Sequence, residues 1–290
     1  MNEKSPNFEN GIFSFGKNWQ KFLKSYDAER LHQACRSLAD FLGESNLVGK
    51  SFLDVGCGSG LFSYAAYSLG ASCVVSFDID PYSVECCKQL RALAHDPPHW
   101  DIQQGSILDR KFLENLGKYD VVYSWGVLHH TGKMWEALEN TINLVSANGY
   151  LYIALYNKIV GRNGRPSWIH EFWLTVKKAY NKYPMVGRYI LEPSAICAYL
   201  AMLLLIRTNP YKSIREYKSH RGMSWRRDAT DWLGGYPYEF ASVEEVFSFV
   251  RSYDPSFCLV NIKTTSGRGL NWYLFNKSES KANAIAEKTG

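Results

Sequence analysis

Apolar residues recur at near-helical spacing across residues 12–48: Phe22, Leu23 and Tyr26, then Leu31, Ala34, Leu38, Phe41 and Leu42. From residue 51 the period changes. Residues 51–55 read as a strand, 56–60 as a glycine loop, and 61–69 as a helix stopped by Gly70. The same alternation repeats with strands at 73–77, 102–104, 121–124 and 151–155, and helices at 83–94, 112–116 and 135–145. Asn148-Gly149 marks a turn before the fifth strand. Strands alternating with helices predict an α/β fold whose parallel strands are joined by crossover helices on both faces.

Residues 157–240 interrupt this rhythm with aromatic and basic residues punctuated by glycine and proline. The rhythm resumes at Ser242, an N-cap candidate with Glu245 three residues on, ahead of a helix through Phe249. Residues 258–264 and 271–275, joined across Ser266-Gly267-Arg268-Gly269, read as a hairpin. The pattern divides the chain into a helical cover (1–48), a core (49–156), a mainly helical basic and aromatic insertion (157–240), a last helix with its hairpin (241–277) and a tail (278–290). The apolar run 195–206 is shorter than the roughly 20 residues of a membrane span, so a buried helix is expected there. A membrane-surface helix is the alternative. Residues 1–10 have no apolar core, and no secretory signal is expected.

Composition narrows the class. Of the 290 residues 46% are hydrophobic, 21% charged and 15% aromatic, which excludes disordered and collagen-like chains. The seven cysteines form no C-x-x-C pair and no metal-ligand spacing. That odd, scattered set suits reduced thiols and a cytoplasmic setting. The net charge of +5 is unevenly placed. Residues 1–150 carry 13 bases against 17 acids, whereas 158–227 carry 14 bases against 3 acids. A basic insertion speaks about partners rather than fold.

The densest motif is Leu53-Asp54-Val55-Gly56-Cys57-Gly58-Ser59-Gly60, with Asp78 closing the next strand. Glycines after a strand permit a tight turn and close backbone approach to a ligand at a helix N-terminus. An acid about 20 residues on suits a ribose diol. The spacing is G-x-G-x-G rather than the dinucleotide G-x-G-x-x-G. With SFDIDP, QQGSILD and YDVVYSWGVLHH following in order, residues 50–156 resemble the class I S-adenosylmethionine (SAM) methyltransferases, most of all the quinone- and small-molecule-type O-methyltransferases.

The resemblance implies a Rossmann-like, seven-stranded, mostly parallel sheet with an antiparallel last strand, and SAM as cofactor. By position it assigns Gly56, Cys57, Gly58 and Gly60 to the methionine and ribose portion, Asp54 to anchoring the loop or the amino group, Asp78 to the ribose hydroxyls and Ile79 to the adenine flank. Ser106 and Ile107 stand where the family has an acid and an apolar residue against adenine. Ser124 and Trp125 follow the fourth strand near the methionine end, with ordinary loop packing as the other reading of Ser106 and Trp125. Upstream, Trp19 either closes over the cofactor or belongs to the core.

A hydroxyl acceptor needs a base. His129 and His130 lie just past the fourth strand, where an imidazole titrating near neutrality would serve, with His130 preferred. The other reading is that one of them holds the Thr131-Gly132 turn. Asp228 and Asp231 are further candidates as base or hydroxyl binder, or else as partners of Arg226 and Arg227. The insertion suits a lid over a small-molecule, sugar or lipid-linked acceptor carrying an anionic group. Arg162, Arg165, Arg188, Arg215, Arg221, Arg226 and Arg227 are suited to phosphate, while lysines such as Lys177 and Lys178 also read as a wet helix face. Other readings are an RNA surface using Trp168, Trp173, Tyr180, Tyr183 and Tyr217, a membrane contact through 195–206, and a catalytically silent SAM-binding scaffold.

Overall fold

The structure is a computed structural model that describes residues 28–159, 167–205, 207–210, 233–265, 267 and 269–278. Helix α1 (Ala28–Leu42) buries Ala34, Leu38, Phe41 and Leu42 at the spacing that predicted it. Then follow β1 (Ser51–Val55), α2 (Leu61–Ser68), β2 (Cys73–Asp78), α3 (Pro81–Leu93), β3 (Trp100–Gln104), α4 (Arg110–Leu113), β4 (Tyr119–Trp125), α5 (Met134–Asn143) and β5 (Val145–Tyr156). The insertion contributes α6 (Trp168–Lys182) and α7 (Glu192–Leu205); α8 (Val243–Tyr253), β6 (Phe257–Lys263) and β7 (Leu270–Lys277) complete the sheet.

The sheet has seven strands in the order β3-β2-β1-β4-β5-β7-β6. The first five run parallel, and β7 lies antiparallel between β5 and β6. Alternate residues of each central strand point to opposite faces. Phe52, Val74, Val121, Tyr123 and Tyr152 pack with α1, α2 and α3. Leu53, Val75, Val122, Ile153 and Tyr273 pack with α5 and α8. Both faces are therefore covered, which is why these strands read as largely apolar rather than alternating.

The Asn148-Gly149 turn lies inside β5, where Asn148 takes a φ of 60° and the β4–β5 register shifts between Tyr119 and Val121. Ser242 caps α8 with the reciprocal bonds expected of it: the Glu245 amide donates to Ser242 Oγ at 3.1 Å, and the Ser242 amide to Glu245 Oε2 at 2.8 Å. Lys158 then pairs with Glu245, tying the start of the insertion to that helix.

Two expectations are corrected here. The apolar run does not form a buried helix: within Glu192–Leu205 only Leu203 is buried, and Met202, Leu204 and Leu205 are exposed. Among the described residues it has few core neighbours, so Leu204 and Leu205 are left uncovered. Lys177 and Lys178 do not share a wet face either. Lys178 is exposed, but Lys177 is fully buried. One residue is about 100° of helix rotation, and Lys177 falls on the stripe His170, Trp173, Lys177, Tyr180 that faces the body.

Candidate functional site

The strand order reverses between β1 and β4, and the carboxyl ends of strands at such a switch point are where open α/β sheets bind ligands. After Val55 the chain turns at Gly56, Gly58 and Gly60, with φ of 73°, 53° and 82°. A Cβ on Gly56 would fall 2.4 Å from Val127 Cγ1; one on Gly60 would fall 2.5 Å from Cys87 Sγ and 3.0 Å from Cys87 Cα. Glycine is thus required by conformation and by packing together. Gly60→Ala should lower stability by about 2–4 kcal/mol, from the left-handed backbone and the clash combined. Urea unfolding checks this, and an unchanged midpoint would contradict it.

The loop is held by the end of β2. The Gly56 and Cys57 amides donate to the Phe77 carbonyl at 2.9 and 3.0 Å. The Gly58 amide donates to Asp78 Oδ2 at 3.0 Å, and the Asp80 amide to Asp78 Oδ1 at 2.9 Å. A carboxylate has about four acceptor positions, so two backbone donors leave it able to accept a pair of hydroxyls. Burial pushes Asp78 up to about 6, against the hydrogen bonds from Asp80 and Gly58. Ile79 beside it is 52% exposed, an apolar surface at this end of the sheet. Three left-handed glycines, an acceptor carboxylate and an exposed aliphatic side chain are a donor and acceptor set that fits a nucleoside.

Asp54 is buried beneath the loop at the end of a relay that the sequence did not reveal. Trp100 Nε1 donates to Ser76 Oγ at 2.9 Å, Ser76 to Ser63 Oγ at 2.7 Å, and Ser63 to Asp54 Oδ2 at 2.5 Å. Each hydroxyl accepts once and donates once, so the chain pins β1, β2, β3 and α2 together under the glycines. Burial pushes Asp54 up to about 7, with the Ser63 hydrogen bond opposing.

The other cofactor candidates separate by position. Ser106 Oγ accepts from the Leu108 amide at 3.2 Å. Ile107 is buried in the core with the α5 side of the sheet, where its carbonyl accepts from Asn140. Ser124 is fully buried and donates to the Val55 carbonyl at 3.2 Å, joining β4 to β1. Cys57 is buried, and its thiol is raised by hydrogen bonding to Cys87 and by burial. Trp125 is 38% exposed and meets Trp272 edge-on. Trp19, Asp228 and Asp231 lie outside the described residues, as do Arg162, Arg165, Arg215, Arg221, Arg226, Arg227 and Tyr217. Of the aromatic residues considered for RNA, Tyr180 is buried and Trp173 half-buried; Trp168 and Tyr183 are exposed.

Both histidines lie on a 3-10 turn, Leu128–His130, two and three residues past the Val127 that packs on Gly56. The Thr131 turn is closed by its own hydroxyl on the Leu128 carbonyl, not by an imidazole. His130 Nδ1 lies 2.7 Å from the Pro237 carbonyl. A carbonyl only accepts, so Nδ1 carries the hydrogen and Nε2 carries the lone pair. His129 is buried against Tyr156, with ring centroids 4.1 Å apart, and its Nδ1 has no hydrogen-bond partner among the described residues. Neither ring titrates near neutrality. Burial pushes His130 down to about 3 despite the Pro237 bond, and pushes His129 well below the usual imidazole range.

The segment carrying Pro237 is clamped across this edge. The Glu239 amide donates to the His129 carbonyl, Glu239 Oε2 accepts from the Met134 amide, and the Ala241 amide donates to the Tyr156 carbonyl. Behind it lies α6. His170 Nε2 accepts from the Ile159 amide at 2.7 Å, so its Nδ1 holds the hydrogen toward the Tyr238 hydroxyl 3.3 Å away. The Lys177 Nζ sits 4.9 Å from the centre of the Tyr238 ring, and burial lowers it to about 7. Its charge adds to the depression of both His129 and His130. In sequence it was one of a pair of lysines, and only the face it occupies distinguishes it.

A family model described as a methyltransferase domain matches residues 26–188. The ribosomal protein L11 methyltransferase of Helicobacter hepaticus is 33% identical over 188 residues, 61% of this chain and 53% of that protein. The ubiquinone biosynthesis O-methyltransferase of Haemophilus ducreyi is 26% identical over 192 residues, 55% of this chain and 80% of that protein. Among solved structures, PKMT2 from Rickettsia typhi in complex with AdoHcy shares the fold, with a TM-score of 0.56 at 14% identity, covering 85% of this chain and 53% of that one. The chain spans about half the length, or less, of the first curated relatives it matches.

Proposed function

The chain belongs to the methyltransferase-domain family, whose model covers more than half of it, and from that premise we propose that it moves a methyl group from SAM to a hydroxyl oxygen of a small-molecule, sugar or lipid-like acceptor. What bound SAM supplies is a methyl on a sulfonium, open to in-line displacement with a neutral leaving group. Asp78 would hold the ribose hydroxyls, the amides and glycines of 56–60 the amino-acid end, and Ile79 the adenine face. The alkylated oxygen must approach at near-attack distance, so positioning carries most of the rate.

The observation that favours oxygen as the acceptor atom is the fixed tautomer of His130. The Pro237 carbonyl commits Nδ1 as donor and keeps the lone pair on Nε2, the form a general base needs. His129 supports the same reading, because its buried Nδ1 calls for a polar partner that an acceptor hydroxyl would provide. The similarity to a ubiquinone O-methyltransferase points the same way. All seven cysteines are free thiols, in keeping with a cytoplasmic setting.

The test is transfer of labelled methyl across hydroxylated, phosphorylated and lipid acceptors, with wild type and His130→Ala. The variant should lose about a hundredfold in kcat with SAM affinity unchanged, at the low end for a general base because a strongly depressed pKa makes a weak one. Since His130 protonates only near pH 3, wild-type kcat at saturating SAM should carry no imidazole inflection near pH 6.5. Equal turnover by His130→Ala, or transfer only to RNA or to a ribosomal protein, would overturn the O-methylation reading.

A further inference from the structure

The chain from Gly187 to Leu205 forms 19 residues of continuous helix, π-helical at Gly187–Leu191 and then α7, long and apolar enough by composition to cross a membrane. A helix that is apolar all round is ordinarily enclosed, by the core of a protein or by lipid. Among the described residues, protein covers little of this one. Val186, Ile190, Cys197, Ala201 and Leu205 are exposed and recur at intervals of four and seven residues, with Met202 beside them. Leu204, at 64% exposure, extends the apolar surface further.

We propose that this helix is a membrane-docking element that enters one leaflet of a bilayer with an anionic surface. Its first half is fastened to the body. Leu191 and Ala195 pack against Tyr180 and Leu233, and the Tyr180 hydroxyl donates to Glu192 at 2.5 Å. Over the ten residues Ile196–Leu205 that follow, Cys197, Ala198, Ala201, Met202, Leu204 and Leu205 are exposed while Leu203 is buried. Ten residues at about 1.5 Å each reach about 15 Å, half of a hydrocarbon core about 30 Å thick. With cations at both ends, the helix therefore lies along the interface with its apolar face in lipid and does not span the bilayer.

Charge selects lipid over a second copy of the chain. The exposed cations Lys178, Lys182, Arg188 and Arg207 flank the apolar stretch at both ends, against only Glu171 and Glu192 between Trp168 and Pro210. A face carrying that surplus repels its own copy and attracts phosphate headgroups. Tyr183 and Tyr189, both more than half exposed, lie near the cations, at the headgroup level where such rings partition. The aliphatic stems of Arg188 and Arg207 let their guanidinium groups reach that level from apolar surroundings. The inference does not depend on which acceptor is methylated.

The experiment is flotation of the full chain with phosphatidylcholine vesicles, with and without about one third phosphatidylglycerol. Wild type should float with the anionic vesicles and more weakly with the neutral ones, and added salt should reduce but not abolish the binding. The double variant Met202→Glu/Leu205→Glu should lose about tenfold or more in partitioning, while its melting temperature and its binding of S-adenosylhomocysteine stay as in wild type. Arg188→Ala/Lys182→Ala should lose the preference for anionic vesicles alone. Failure of wild type to float at low salt, or equal flotation of the double variant, would overturn the proposal. So would a stable wild-type dimer in light scattering that the double variant converts to monomer without any vesicle binding, since the face would then belong to self-association.

Discussion

Asp78→Ala is expected to weaken binding of S-adenosylhomocysteine by more than about a hundredfold in a calorimetric titration. Two effects add. The ribose hydroxyls lose an ionised acceptor, at about 1.5–3 kcal/mol per hydrogen bond to a charged group. The Gly58 and Asp80 amides lose theirs as well, so the loop no longer arrives in the conformation that Asp78 holds at 3.0 and 2.9 Å. A 2′,3′-dideoxy analogue separates the two. If Asp78 meets the diol, wild type and variant should differ far less for the analogue than for the parent compound. An equal loss for both would assign Asp78 to the loop alone. Because burial raises Asp78 to about 6, affinity in wild type should decline as pH falls below that value and the carboxylate becomes protonated. Unchanged affinity in Asp78→Ala would remove the proposed ribose contact.

The sheet could be read from the chain because its determinants are local. Strands β1 and β2 are buried on both faces, so both read as largely apolar runs, and Gly56 and Asp78 mark where they end. Capping chemistry is equally local, as Ser242 with Glu245 shows. The apolar helix was misplaced for a physical reason. Hydropathy reports that a segment avoids water, but not whether protein or lipid takes it up.

The candidate site was half legible. The glycines and Asp78 announce themselves through spacing, since their geometry is set within one β–loop–α unit. The features joining distant segments do not. Trp100, Ser76, Ser63 and Asp54 form one relay from four elements, and Pro237 fixes the tautomer of a histidine 107 residues away. Ser124 and Ile107 show the converse. Motif position places them at the cofactor edge, while burial assigns their side chains to holding the sheet together. Motif position gives a residue's address in the fold, and only the surrounding packing decides which way it faces.

Lys177→Met should make the protein more stable at neutral pH. The amine titrates at 10.5 when exposed and near 7 when folded, because burial disfavours the charged form. Between those values the unfolded chain binds one more proton than the folded one, so wild-type stability rises with pH by about 1.4 kcal/mol per unit. Below pH 7 both states are protonated and the full cost of burying the charge is present, on the order of 5 kcal/mol from the displacement of the pKa. Methionine keeps an unbranched side chain one atom shorter and removes the charge. Urea unfolding of both proteins at several pH values should show the variant ahead by several kcal/mol at pH 7 and the gap closing toward pH 10. Taking the difference cancels the raised Asp54 and Asp78 and the depressed histidines, which are common to both. A gap independent of pH would mean that Lys177 is not a buried titrating amine. With the ammonium gone, His129 and His130 lose one of the repulsions that hold their pKa values down. Their ring resonances should therefore titrate at slightly higher pH, with burial still keeping both below the ordinary imidazole range.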